Sequence, residues 1–169
     1  MNVLYGILIC GALFSQSAYT QQSATDSTLF DFWVGEWDLW WYGKDSVREY
    51  GTNSITKILD NRVIREDFAI TTGANAGFKG QSVSLLEVHT ATWKQTWVDN
   101  SGGYMPFTGG SDGVRRYFER ELVRDGKTIL QKMIFHSITH DSLVWDWTHS
   151  RDGGRTWNTV WRIHYQRRR

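Results

Sequence analysis

From Gly35 onward, apolar and polar side chains alternate along the chain with a period of two. Trp37, Leu39 and Trp41 alternate with Glu36, Asp38 and Trp40, and in "RVIREDFAITT" Ile64, Phe68 and Ile70 share a face. In "TWNTVWRIHYQ", Trp157, Trp161, Ile163 and Tyr165 alternate with Asn158, Arg162 and His164. A period of two is the signature of a strand buried on one face. The runs "REYGTNSITKIL", "GQSVSLLEVHT", "ATWKQTWVD", "VRRYFERELV", "TILQKMIFHSITH" and "LVWDWTHS" also read as strands, while Pro106 marks "GYMPFTGG" as an edge, bulged or irregular one. Turn signals separate the runs: "KILDNRV", "TTGANAGF", "DNSGG", "GGSDG", "VRDGKT" and "SRDGG". About ten evenly spaced strands without a long amphipathic helix predict an all-β, antiparallel up-and-down barrel, with a sandwich as the alternative. Ahead of the strands, "DSTLFDFWVGEW" predicts a short helix or 3₁₀ turn capped by Asp26 or Ser27 and ended by Gly35.

The first charged residue is Asp26. The apolar core before it, Val3 to Phe14, is too short to cross a bilayer and is followed by small and polar residues. Residues 1–20 are therefore expected to be a secretory signal peptide cleaved near Thr20, a buried N-terminal helix being the alternative. Residues 27–166 are expected to form one barrel domain, secreted or periplasmic, with no transmembrane segment. The single cysteine, Cys10, falls within the leader, and Ile9 stands where a lipoprotein signal needs a small residue. The mature chain is then expected to lack disulfides and Cys-ligated metal.

Composition adds two points. The chain carries 10 Trp, 7 Tyr and 8 Phe in 169 residues, more than a core of this size requires, which suggests an aromatic-lined cavity beside the alternative of simple core filling. A net charge of +1 offers no electrostatic case for nucleic acid or an anionic membrane.

Two motifs carry resemblances. "SRDGGRTW" fits Ser-x-Asp-x-Gly-x-Thr-Trp and resembles the Asp-box hairpin of sialidases. One copy in a chain too short for a propeller argues for a hairpin, with Asp152 accepting amides across the turn and Trp157 packing over it. "FDFWVGEWDLW", in which Gly35-x-Trp37 follows a short helical turn, resembles the calycin superfamily of lipocalins, fatty-acid-binding proteins and nitrobindin-like barrels. With "GTNSITKILDNRVIRE", "KQTWVDNSGGYMPFTGG" and "SRDGGRTWNTVWRIHY", the chain is similar to secreted bacterial lipocalin-like domains of unknown function. That resemblance implies a barrel with an internal cavity and no established reaction. It also implies that Trp37 stacks under a late-strand Arg, for which Arg162 is the best match and Arg167 a second. Haem is the one cofactor it suggests, through a late-strand His. His164 is the residue in question, although alternation puts it opposite the inward set of Trp161, Ile163 and Tyr165.

The candidate chemistry follows from faces. Trp93, Gln95, Trp97 and Asp99 share one side of a strand. Inward, Asp99 would be desolvated, its pKa raised and its carboxyl fit for acid–base work; alternatively Asp99 and Asn100 cap the "DNSGG" turn. Trp145, Trp147 and His149 share a face, and the two indoles are expected to wall a cavity or to pack the core. His136, between Ile134 and Ile138, is a candidate to face the interior. His136 and His140 would stand roughly 13 Å apart on a strand, which excludes a joint zinc site, and no metal is expected. The expected function is binding of a small, largely apolar or aromatic molecule, with Trp97, Trp145 and Trp147 as wall and Gln95, Asp99 and His136 as polar orienters. The alternatives are an enzyme using Asp99 or His136 on a lipophilic substrate, and a structural module with a filled interior.

Overall fold

The computed structural model describes residues 26–44 and 46–169; the expected signal peptide and Cys10 lie outside the described residues. After a 3₁₀ turn at Asp31–Trp33 come ten strands: β1 (Gly35–Tyr42), β2 (Arg48–Ile58), β3 (Val63–Ile70), β4 (Lys79–Glu87), β5 (Thr92–Asp99), β6 (Tyr104–Ser111), β7 (Arg116–Arg124), β8 (Lys127–His136), β9 (Ser142–Ser150) and β10 (Asn158–Arg167). Each pairs antiparallel with its sequence neighbour, and β10 pairs with β1, so the sheet closes into an up-and-down barrel. Closure rules out the sandwich and is compatible with a calycin or lipocalin-like architecture. Among the described residues, no helix is long and apolar enough to cross a membrane.

Alternation sets the inside. Along β3, Ile64, Glu66, Phe68 and Ile70 are buried while their neighbours are more exposed. Short turns connect the strands where the chain tolerates positive φ. Asp125 and Gly126, with φ of 51° and 69°, link β7 to β8 in the left-handed pair that suits a twisted hairpin.

An aromatic plug fills one end. Phe30 stacks on Phe118 at 4.4 Å and meets Trp93 edge-on at 4.9 Å. The indole N–H of Trp37 donates to the Trp33 carbonyl at 2.8 Å, and that of Trp93 to the Asp26 carbonyl at 3.0 Å. Each such ring, buried, removes roughly 150–250 Å² from water, worth several kcal/mol. The 3₁₀ turn is thus held against the barrel by packing and by indole donors that find carbonyls.

The arginine over Trp37 is Arg167, not Arg162. Its guanidinium lies 4.1 Å from the Trp37 ring centroid and donates to the carbonyls of His140, Val34 and Phe32 at 2.7, 2.8 and 3.3 Å. Arg162 is on the opposite, outer face of β10, where it grips Asp146 through two hydrogen bonds of 2.7 and 2.6 Å. Gly35 completes the closure: a Cβ there would come 2.0 Å from Arg167 Nη1, and its φ is +142°.

The wall is not uniformly laced. β6 and β7 are paired only between Thr108–Ser111 and Arg116–Glu119. Toward the other end, Tyr104–Phe107 faces Arg120–Arg124 without ladder bonds, and Pro106, with no N–H to give, lies in this stretch.

Candidate functional site

Above the plug the barrel interior is not filled. A cavity of about 290 Å³ lies between Trp33 of the plug and the rim formed by Asp99 and Met105. Its wall is chiefly indole and phenyl: Trp97, Trp145, Trp147 and Trp161 with Phe68 and Phe107. Trp145 and Trp147, two residues apart on β9, stand parallel at 6.3 Å, and Trp161 of β10 meets Trp145 edge-on at 5.8 Å. Phe68 packs edge-on to Trp97 and Trp161 at 6.0 and 6.1 Å. Trp97 lies against Gly80 of β4, where a Cβ would fall 2.0 Å from its ring, so the glycine gives that indole its place in the wall.

A polar cluster interrupts this lining. Glu66 of β3 is 5 % exposed and faces the cavity. Asn53 Nδ2 of β2 donates to its Oε1 at 2.7 Å, and the Ser82 hydroxyl of β4 to its Oε2 at 2.6 Å. Asn53 Nδ2 also reaches the Tyr165 hydroxyl at 3.2 Å, while Gln95 Nε2 donates to the Ser82 and Ser84 hydroxyls at 3.2 and 3.0 Å. Burial pushes the Glu66 carboxyl up to about 7, against the lowering effect of its Ser82 and Asn53 bonds. Burial, and next the nearby Glu66 charge, raise the Tyr165 phenol above its ordinary value. The cluster therefore offers one carboxyl that gains or loses a proton near neutrality, beside a phenol that stays protonated.

No protein-family model matches this chain, and no curated protein sequence matches it either.

The residues singled out by sequence fall into three groups. Trp97, Trp145, Trp147 and Asp99 line the cavity. Trp93 and Gln95 share their inner face, but Trp93 belongs to the plug and Gln95 stands behind Ser82. His149 also lies on the inner face of β9, 2.9 Å from Gln131, which touches the cavity; desolvation lowers its pKa.

Asp99 has the geometry of its turn alternative. Its Oδ1 accepts from the Ser101 hydroxyl, the Ser101 N–H and the Gly103 N–H at 2.6, 3.0 and 2.9 Å, and its Oδ2 accepts from Trp97 Nε1 at 3.0 Å. The Ser101 hydroxyl, followed by the Gly103 amide, holds its pKa down at about 2. That is the reverse of the raised value acid–base work would need. His136 is a correction. It lies on the outer face, bonded to the Ser137 hydroxyl at 3.1 Å and to Asp146 Oδ2 at 3.2 Å, because Gln131, Met133 and Phe135 take the inner positions of β8. Burial raises the Asp146 pKa, but the Arg162 pair more than offsets this and leaves it lowered. His164 is also outside, stacked on Trp40 at 3.9 Å. Among the described residues, no group of three or more His, Cys, Asp and Glu is arranged to hold a metal ion.

The "SRDGGRTW" turn is a compact hairpin at the rim side of the barrel. Asp152 accepts from the Thr156 amide and hydroxyl and from the Ser150 hydroxyl at 3.0, 2.7 and 2.8 Å, and Trp157 Nε1 donates to the Gly154 carbonyl at 3.0 Å.

Sequence reasoning passed over Glu66 as a site residue, along with Asn53, Ser82 and Tyr165. The signal for Glu66 was present: it alternates with Ile64, Phe68 and Ile70 and so had to point inward. Its hydrogen-bond partners come from β2 and β4, with Tyr165 of β10 joined through Asn53, and nothing local announces them.

Proposed function

We propose that this chain is a calycin-like binding protein that holds a small, largely apolar or aromatic molecule inside its barrel. In this reading, residues 1–20 export it and residues 27–166 act as one unit outside the cytoplasm. The observation that carries the proposal is the 290 Å³ space bounded by indoles with a single buried carboxyl among them. Ligand sites run to about 300–1,000 Å³ and are mostly apolar with a few placed polar groups, so the guest belongs at the small end of that range. Trp97, Trp145 and Trp147 supply the contact area, and Glu66 with Tyr165 orients the guest. Quenching of intrinsic tryptophan fluorescence by a fractionated metabolite extract tests this. Trp147→Ala should lose most of the quench, and an undiminished quench in that variant would remove the proposed wall.

A second reading, an enzyme acting on the guest, is favoured by one observation, the Glu66 carboxyl poised at about 7. Asp99 and His136 have no part in it. It requires turnover of the bound molecule, lost in Glu66→Gln while binding persists.

A further inference from the structure

We infer that the guest is a cation: a small aromatic or apolar amine whose ammonium is balanced by Glu66 and covered by tryptophan faces. This rests on the binding function proposed above and narrows its ligand class.

Three features converge. The first is charge. Glu66 within the cavity and Asp99 at the rim are the ionisable carboxyls that line it, and among the described residues no Lys, Arg or His does so. Within this largely apolar lining an anionic guest would meet like charge, and a cationic one would meet its complement. The second is the wall. Tryptophan presents the most electron-rich face of any side chain to a cation, and here Trp145, Trp147 and Trp161 stand at parallel and right-angled settings around one space.

The third is a missing countercharge. Glu66 is held by neutral donors, Asn53 Nδ2 at 2.7 Å and the Ser82 hydroxyl at 2.6 Å, and among the described residues no Lys, Arg or His pairs with it. Once ionised, the carboxylate has hydrogen bonds but no opposite charge, and a primary ammonium brings that charge together with N–H donors.

Basic side chains beyond the lining set orientation. Arg120 donates to Gln131 Oε1 at 2.6 Å and lies 5.5 Å from the Phe107 ring, while His149 meets the same Gln131. These positive or ionisable groups gather behind Gln131, so the ammonium points away from them and toward Glu66. The groups facing Glu66 are Asn53, Ser82 and the protonated Tyr165, with Asp67 the one nearby charge.

A matched trio tests the inference by titration calorimetry: phenethylamine, 2-phenylethanol and 3-phenylpropionate. At about pH 8 the amine, protonated there as a lysine is, should bind at least about tenfold tighter than the alcohol, and the carboxylate weakest. Because Glu66 must be ionised to pair, amine affinity should rise about tenfold from pH 6 to pH 8 while alcohol affinity stays flat. Binding at neutral pH should release about half a proton, read from buffers of different ionisation enthalpy. Glu66→Gln should bring amine and alcohol within about twofold; the pH and proton-release arms need no variant. Equal or tighter binding of the alcohol, or an amine preference untouched in Glu66→Gln, would overturn the cation assignment and leave a carrier of neutral guests. Failure of all three compounds to bind counts against the cation assignment. If tryptophan quenching by extract is absent as well, the binding function falls with it.

Discussion

Replacing Glu66 by Gln should make the barrel more stable, by an amount that grows with pH. The carboxyl moves from an ordinary 4.5 to about 7 on burial. At about 1.36 kcal/mol per unit, the ionised form costs the fold roughly 3 kcal/mol. Below the ordinary value both states are protonated and nothing is lost. Between the two values the folded chain keeps a proton that the unfolded chain has released, so stability falls as pH rises through that window and then levels off. Gln keeps the size and the acceptor for Asn53 but has no proton to lose. The assay is urea unfolding of both proteins at several pH values, read as the difference between them, which cancels His149 and His164 because they titrate alike in each. The Gln variant should lead by roughly 3 kcal/mol at about pH 8 and by no more than roughly 1 kcal/mol at about pH 5. For a chain of this length the larger figure corresponds to roughly 6–12 °C in Tm. A difference independent of pH, or one in which the native protein gains on the variant as pH rises, would refute the buried-carboxyl argument.

Other outcomes follow from the closure of the barrel and its hairpin. Arg167→Ala removes three carbonyl bonds and the cover over Trp37, and should cost about 2–4 kcal/mol by denaturant unfolding; a cost under about 1 kcal/mol would show that the arginine does not close the base. Gly35→Ala should destabilise comparably, since the new methyl displaces the same guanidinium and the backbone has φ of +142°; a thermal melt matching the native protein would contradict this. Asp152→Ala should free the Thr156 amide to exchange faster with solvent deuterium while leaving tryptophan quenching by ligand unchanged. Protection of that amide in the variant would show that the carboxylate does not hold the turn.

Most of the fold was legible because every strand of a closed barrel is buried on one side only, and that condition writes a period of two into the chain. The same rule already separates the two arginines. Arg167 alternates with Ile163 and Tyr165 on the inner face, and Arg162 with His164 on the outer, so the spacing alone favours Arg167 where the resemblance pointed first to Arg162. His136 failed for a different reason. In "MIFHSI" both faces are apolar, β8 ends at His136, and Ile138 lies beyond the strand, where alternation no longer applies. Asp99 kept both readings open until the donors to its carboxylate could be counted. Glu66 had the right phase but the wrong chemistry for a core, and only the meeting of β2, β3, β4 and β10 shows why a carboxyl is tolerated there. That meeting is long-range, and a sequence pattern cannot display it.

A guest housed in the upper barrel adds its mass to the native protein, and native mass spectrometry reads that mass. Protein purified without unfolding should carry the added mass of one small molecule, which disappears after unfolding in urea and refolding and returns when the extracted compound is added back. Identical bare masses before and after refolding, with no uptake from the source extract, would contradict it.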